Sequence, residues 1–275
     1  MRKVGLASLV IALVPLLAHA ADKKEFVKAV RAAYYNATDK GLASFACDVN
    51  PDWSLILADQ KVTDPVKLQK TLDALKDIRF HVNVGPKGAT QFTHSITNTA
   101  DIRMNDAYTK IYSGMGQMVQ GFFQTWTQLV FAPPLPDPAL DYELIQDPQG
   151  YHIRYTEGGS KVTTIIANDY SLSSLLVKND QVSATLNPSF EHLPSGLLLS
   201  SFKTNFESVQ YGVGDLDATF TYQEVDGFEL PKILNVAGSL GGSAPYHMKV
   251  EFVGCKVEKA KSPSEPPPPP AQLGS

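Results

Sequence analysis

One stretch constrains this 275-residue chain more than any other: RMNDAYTKIYSGMGQMVQGFFQTWTQLVF, from Arg103 to Phe131. Its apolar residues fall at Met104, Tyr108, Ile111, Met115, Met118, Phe122, Trp126 and Leu129, separated by four, three, four, three, four, four and three positions. That is the repeat of one face of an α-helix. Asn105 or Asp106 is suited to cap its start, because a short polar side chain satisfies the first free backbone N–H groups. Pro133, Pro134, Pro136 and Pro138 forbid continuation beyond Ala132, since proline lacks an N–H and clashes with the preceding turn. Most of the remaining chain reads as strand, so this helix must lay its apolar face on a sheet.

The helix is soft as well as apolar. Met104, Met115 and Met118 lie on its apolar face, and methionine adapts to irregular or changing partners. Gly114, Gly116 and Gly121 each weaken a helix by roughly 0.8–1 kcal/mol relative to alanine. Two readings follow. One is a permanently packed core helix whose glycines allow close approach; the other is a movable lid.

The chain opens MRKVGLASLVIALVPLLAHA, with a basic start at Arg2 and Lys3 and an apolar run from Val4 to Leu17. Ala18-His19-Ala20 then forms a small-x-small cleavage site. Residues 1–20 are expected to be a signal peptide cleaved after Ala20, which directs the rest to export. The apolar run is shorter than the roughly 20 residues a membrane span needs, so the processed protein is not expected to span a membrane. Losing Arg2 and Lys3 takes the formal charge from −4 to −6. With no basic cluster, nucleic acid is an unsuited partner. At 43% apolar residues the chain has ample material for one large β-rich domain.

Only two cysteines occur, Cys47 and Cys255, in the first and last strand-like segments, SFACDV and VEFVGCKV. In an oxidising compartment they are expected to pair and tie the two ends of the domain together. Two unpaired buried thiols are the alternative. A closure this long is worth at most about 4–5 kcal/mol by loop entropy.

Further local patterns give the remaining elements. Lys23 to Thr38 reads as a helix with Phe26, Val27, Val30, Ala33 and Tyr34 on one face, ended by Gly41. Leu42 to Leu57 has strand composition broken at Asn50-Pro51-Asp52. Asp64-Pro65 starts a second helix with Val66, Leu68, Leu72 and Leu75 apolar, proline being suited to its first turn. Ile78 to Val84 and Thr90 to Ile96 read as paired strands across Gly85-Pro86-Lys87-Gly88. A meander of antiparallel strands follows the proline block, with hairpin turns at Glu157-Gly158-Gly159 and Asp226-Gly227. Five prolines, Pro266 to Pro270, mark residues 259–275 as a tail that cannot join a sheet.

No catalytic motif stands out: the chain has no GxSxG, HExxH or CxxC. His81, His94, His152, His192 and His247 are widely separated. Asp215 and Asp217, beside Gly212 and Gly214, read as a polar turn before a strand, too poor in carboxylates for a calcium loop. No enzymatic activity, cofactor or metal is expected.

Read as a whole, residues 21–258 resemble the LolA-like superfamily of periplasmic outer-membrane lipoprotein carriers. The resemblance rests on the helix Phe26 to Tyr35 running into Ser44 to Val49, on Asn168-Asp169-Tyr170-Ser171-Leu172 with Leu175 and Val177, and on YQEVDGFELPK from Tyr222 to Lys232. The chain departs most from the pattern around Arg103 to Asp141. The resemblance implies an α+β fold: a curved, incompletely closed antiparallel sheet, or half-barrel, with amphipathic helices packed in its concave face. It also implies an apolar cavity for lipid or lipoprotein acyl chains, partner proteins at the inner and outer membranes, and a monomer. On that reading the cavity and lid residues are Met104, Tyr108, Ile111, Met115, Met118, Phe122 and Trp126, facing Phe202, Phe206, Phe220 and Tyr222, with Phe123 a further lid residue. A ligand-free interaction or sensor domain of the cell envelope, using the same fold, is the alternative.

Overall fold

The computed structural model describes residues 18–58, 64–85, 88–96, 106–133, 135–137, 139–210, 212–242 and 245–260, with the side chains of 18–22 and 106–110 outside that description. Most of the expected signal peptide, the proline-rich tail from Lys261, Met104, the candidate cap Asn105 and the side chain of Tyr108 therefore lie outside the described residues.

Among the described residues, four helices accompany twelve strands. The helices are α1 (Ala18–Ala33), α2 (Trp53–Ala58), α3 (Pro65–Lys76) and α4 (Asp106–Val130). The strands begin with β1 (Leu42–Pro51), β2 (Ile78–Val84), β3 (Thr90–Ile96), β4 (Glu143–Asp147), β5 (Gly150–Glu157) and β6 (Ser160–Ile166). They continue with β7 (Leu172–Lys178), β8 (Val182–Leu193), β9 (Gly196–Ser208), β10 (Gly212–Val225), β11 (Phe228–Leu240) and β12 (Tyr246–Lys259). All form one sheet in the order β3-β2-β1-β12-β11-β10-β9-β8-β7-β6-β5-β4. Neighbours pair antiparallel, and β3 and β4 are two unjoined edges, so the sheet is open.

Local chemistry accounts for several of these elements. Asp64 caps α3 by accepting from the backbone N–H of Val66 at 2.9 Å and Lys67 at 3.2 Å, with Pro65 in the first turn. Asp226 and Gly227 both have positive φ and make the two-residue turn between β10 and β11. In β2, Ile78, Phe80, Val82 and Val84 are buried while the residues between them are exposed, the period of a half-buried strand.

The sequence expectations need four corrections. Residues 53–57 are not strand: Asp52 accepts from the Ser54 hydroxyl at 2.5 Å and the Leu55 N–H at 3.2 Å, which caps a helical turn. Val66 is 63% exposed, so it does not join Leu75 in the core. The first helix ends at Ala33, five residues before the expected end at Thr38, because Tyr35 and Ala37 give their backbone N–H groups to Leu197 and Val130, each at 3.0 Å. Asp215 and Asp217 sit inside β10, bonded sideways to Ser239 and to Lys203 (2.8 Å), and form no turn.

Cys47 and Cys255 are disulfide-bonded, with Cα atoms 4.1 Å apart. They join β1 to β12, neighbours in the sheet though 208 residues apart in sequence. Between Ala46 and Asp48 the partner jumps from Lys256 to Val253, a bulge in which Gly254 takes positive φ.

The core is one contiguous cluster shared by the sheet, α1 and α4. Phe123 of α4 meets Phe45 of β1 at 5.6 Å and Phe252 of β12 at 5.2 Å between ring centroids. Phe122 meets Phe220 of β10 at 5.3 Å. Phe26 of α1 lies 4.1 Å from Tyr151 of β5, and Tyr34, just after α1, lies 5.3 Å from Phe190 of β8. The sheet is curved, as one cavity demonstrates. It is lined by Leu42 of β1 and by Val162 of β6, strands seven places apart in the order. A flat sheet would hold them roughly 34 Å apart at about 4.8 Å per strand.

Candidate functional site

An apolar groove of about 470 Å³ runs between α4 and strands β9 to β12. Helical spacing sets its helix wall: Gly114, Gln117, Met118, Gly121, Phe122 and Thr125 recur every three or four residues. Strand alternation sets the floor, with Phe202, Thr204 and Phe206 from β9, Leu216 and Ala218 from β10, Val236 and Leu240 from β11, and Tyr246 and Met248 from β12. By helical rise, Gly114 to Thr125 spans about 16 Å. No charged side chain lines it.

Two glycines shape the groove. A Cβ added at Gly114 or Gly121 would meet no atom within 4 Å, so both positions hold open space. Gly116 differs: its missing Cβ would stand 3.2 Å from Phe92, and it lets α4 approach β3. Across the groove the Phe206 ring lies over Gly214, its cross-strand partner, where a Cβ would stand 2.4 Å from the ring. An aromatic ring covering a glycine on the neighbouring strand holds both in register.

The expected site residues separate into two groups. Met118 and Phe206 are half-buried and line the groove, together with the more deeply placed Phe122 and Phe202. Met115, Phe123, Trp126 and Phe220 are buried core, and Ile111 packs against it. Trp126 is fully buried, its indole Nε1 donating to the Tyr222 hydroxyl at 3.0 Å, and Tyr222 donates to the Leu199 carbonyl at 2.6 Å. Burial drives the Tyr222 hydroxyl far above its ordinary value, so it remains a donor. These bonds pin the C-terminal half of α4; in its N-terminal half Tyr112 and Met115 are also buried, and the Tyr112 ring stacks on His94 of β3 at 4.3 Å between centroids. Sequence reading missed Gln117, Thr125, Thr204, Leu216, Ala218 and the β11 and β12 residues. The small and polar stripe of Gly114, Gln117, Gly121 and Thr125, beside the apolar one, was the available signal.

Exposed apolar residues gather at one end of the sheet, and one of them, Leu240, lines the groove. Val209 is 77% exposed, Val213 67% and Leu240 41%. All three lie at one end of the sheet, where the Gly241 N–H donates to the Val213 carbonyl at 2.8 Å. A larger cavity of about 1060 Å³ lies beyond the other end of α4.

Polar chemistry is dispersed. His81 meets Asp48 at 3.0 Å and His152 meets Asp147 at 2.8 Å, on strands far apart in the sheet. Among the described residues, no group of three or more His, Cys, Asp or Glu side chains is placed to hold a metal ion. No described helix is long and apolar enough to cross a membrane. No protein-family profile matches the chain, and neither a curated protein nor a solved structure matches it.

Proposed function

We propose that this chain is a periplasmic carrier or binder of lipid or lipoprotein acyl chains, in the manner of the LolA-like carriers its sequence resembles. On this reading the open sheet is a half-barrel, α1 and α4 occupy its concave face, and an acyl chain lies in the groove between α4 and β9–β12. The observation that carries the proposal is the groove itself. Its volume falls within the roughly 300–1,000 Å³ of ligand clefts, no charged side chain among the described residues lines it, and Leu240 on its wall is 41% exposed. Each methylene moved from water into such a groove gains about 0.8 kcal/mol. Met118 supplies an adaptable wall, and the N-terminal half of α4 swings away from a pivot at Trp126 to release cargo.

Native mass spectrometry of the mature protein, purified gently from an envelope extract, tests this. Adducts with lipid masses are the expected result. A clean unliganded mass that also ignores added fatty acid and phospholipid would overturn it, in favour of an interaction domain working without a ligand.

A further inference from the structure

The cavity of about 1060 Å³ beyond the C-terminal end of α4 has a different chemistry from the groove. It lies where the curling sheet brings β5, β6 and β7 toward β1. One wall is apolar: Leu42, Phe131, Val162, Leu175 and Val177. Phe131 is positioned by the helix end, its N–H donating to the Thr127 carbonyl at 2.9 Å. The rim is polar, and both of its charged side chains are acidic: Asp39, after α1, and Glu157, at the β5–β6 turn. Among the described residues, no lysine, arginine or histidine lines the cavity. Both carboxylates are exposed. Burial is the main cause that raises the Tyr155 hydroxyl above its ordinary value, and the charge of Glu157 adds to it.

We propose that this cavity is a second ligand site, for a single-chain amphiphile with a cationic head group. The chain lies on the wall of Leu42, Phe131 and Val177, and the head reaches the rim between Asp39 and Glu157. Charge complementarity selects the head: a phosphate or sulfate meets two carboxylates and no cation. Apolar area selects the chain, because a free cation without one would leave the wall wet. The site is distinct from the groove: the two share no lining residue, and along α4 buried Trp126 falls between Thr125 of the groove and Thr127 of the cavity. It stands or falls independently of the acyl-carrier reading.

The test is methyl NMR on the intact, disulfide-bonded protein, titrated below their micelle concentrations with dodecyltrimethylammonium, dodecyl maltoside and dodecyl sulfate. The Leu175 and Val177 methyls report the cavity, and the Met118 methyl reports the groove. The expected result is that dodecyltrimethylammonium moves Leu175 and Val177 at the lowest concentration and dodecyl sulfate at the highest. Asp39→Asn and Glu157→Gln, both at exposed positions, each weaken the cation about two- to five-fold, as loss of a solvent-exposed ion pair does. Added salt narrows the same gap. Equal affinity for sulfate and ammonium, or unchanged ammonium affinity in the double variant, would overturn the proposal. Movement of Met118 alone would overturn it while leaving the groove reading intact.

Discussion

The indole of Trp126 donates to the hydroxyl of Tyr222 at 3.0 Å, across 96 residues of sequence. That hydroxyl passes its own proton to the Leu199 carbonyl at 2.6 Å. A helix with three glycines is thereby locked to β9 and β10 at one point.

Tyr222→Phe removes both bonds and leaves the enclosed indole N–H without its acceptor. Stability should fall by about 1–3 kcal/mol, the cost of an unsatisfied buried polar group. Urea denaturation measures it. A change within error would mean that the indole finds another acceptor and that the lock is not structural.

Gly121→Ala should act in opposite directions on stability and on cargo. The new methyl meets nothing within 4 Å, so the helix gains roughly 0.8–1 kcal/mol. The same methyl enters the groove and should weaken lipid uptake. Gly116→Ala, facing Phe92 at 3.2 Å, should bring no such gain. Thermal melts and a fluorescent fatty-acid titration read the two effects separately.

Met118→Asp should lower lipid uptake in a protein that still folds, because Met118 is only half-buried on the groove wall. Phe122→Asp should instead damage the fold, since that ring packs on Phe202, Phe220 and Phe252. Circular dichroism beside the uptake assay distinguishes the outcomes. Normal uptake by folded Met118→Asp would count against the groove.

Replacing Cys47 and Cys255 by alanine should cost about 2–5 kcal/mol, the range seen when small secreted domains lose a native disulfide. The bond closes 208 residues of separation but joins strands already paired, so the loss should appear in the unfolded state's freedom more than in the fold. Guanidinium denaturation of the double variant measures the loss. Non-reducing peptide mapping of the parent protein should show the linked pair.

Acid should destabilise the protein through Asp52 and Asp169. The Ser54 hydroxyl is the main cause that holds Asp52 below its ordinary value, and the Ser171 hydroxyl does the same for Asp169. In the unfolded chain each titrates near about 3.9. As pH falls the unfolded state therefore takes up protons first. The stabilisation is full above the unfolded value and is lost as pH drops through the lower folded one. The denaturation midpoint should fall below about pH 4, and an Asp52→Asn, Asp169→Asn variant should show a flatter decline. An identical decline would place acid sensitivity elsewhere.

Much of this architecture is written in short-range chemistry. The repeat from Met104 to Leu129, the Asp64-Pro65 start and the Asp226-Gly227 turn each depend on neighbours a few residues apart, and the α4, α3 and β10–β11 elements follow them. The antiparallel meander was legible for the same reason, whereas the open sheet was expected only from the family resemblance, because local strand patterns read equally as a closed barrel or a sandwich. The groove was legible only in part. Met118, Phe122, Phe202 and Phe206 stood among its expected residues, whereas Gly114 and Gly121 were read as weak points in a helix. Their role as empty space needs the opposite wall, which β9 to β12 supply from residues 202–248. The tertiary structure alone decided that Trp126 reaches Tyr222, that Phe206 covers Gly214 and that β6 curls within one cavity of β1. Local periodicity tells which face of an element is apolar; strand register and sheet curvature, summed over twelve strands, decide what that face meets.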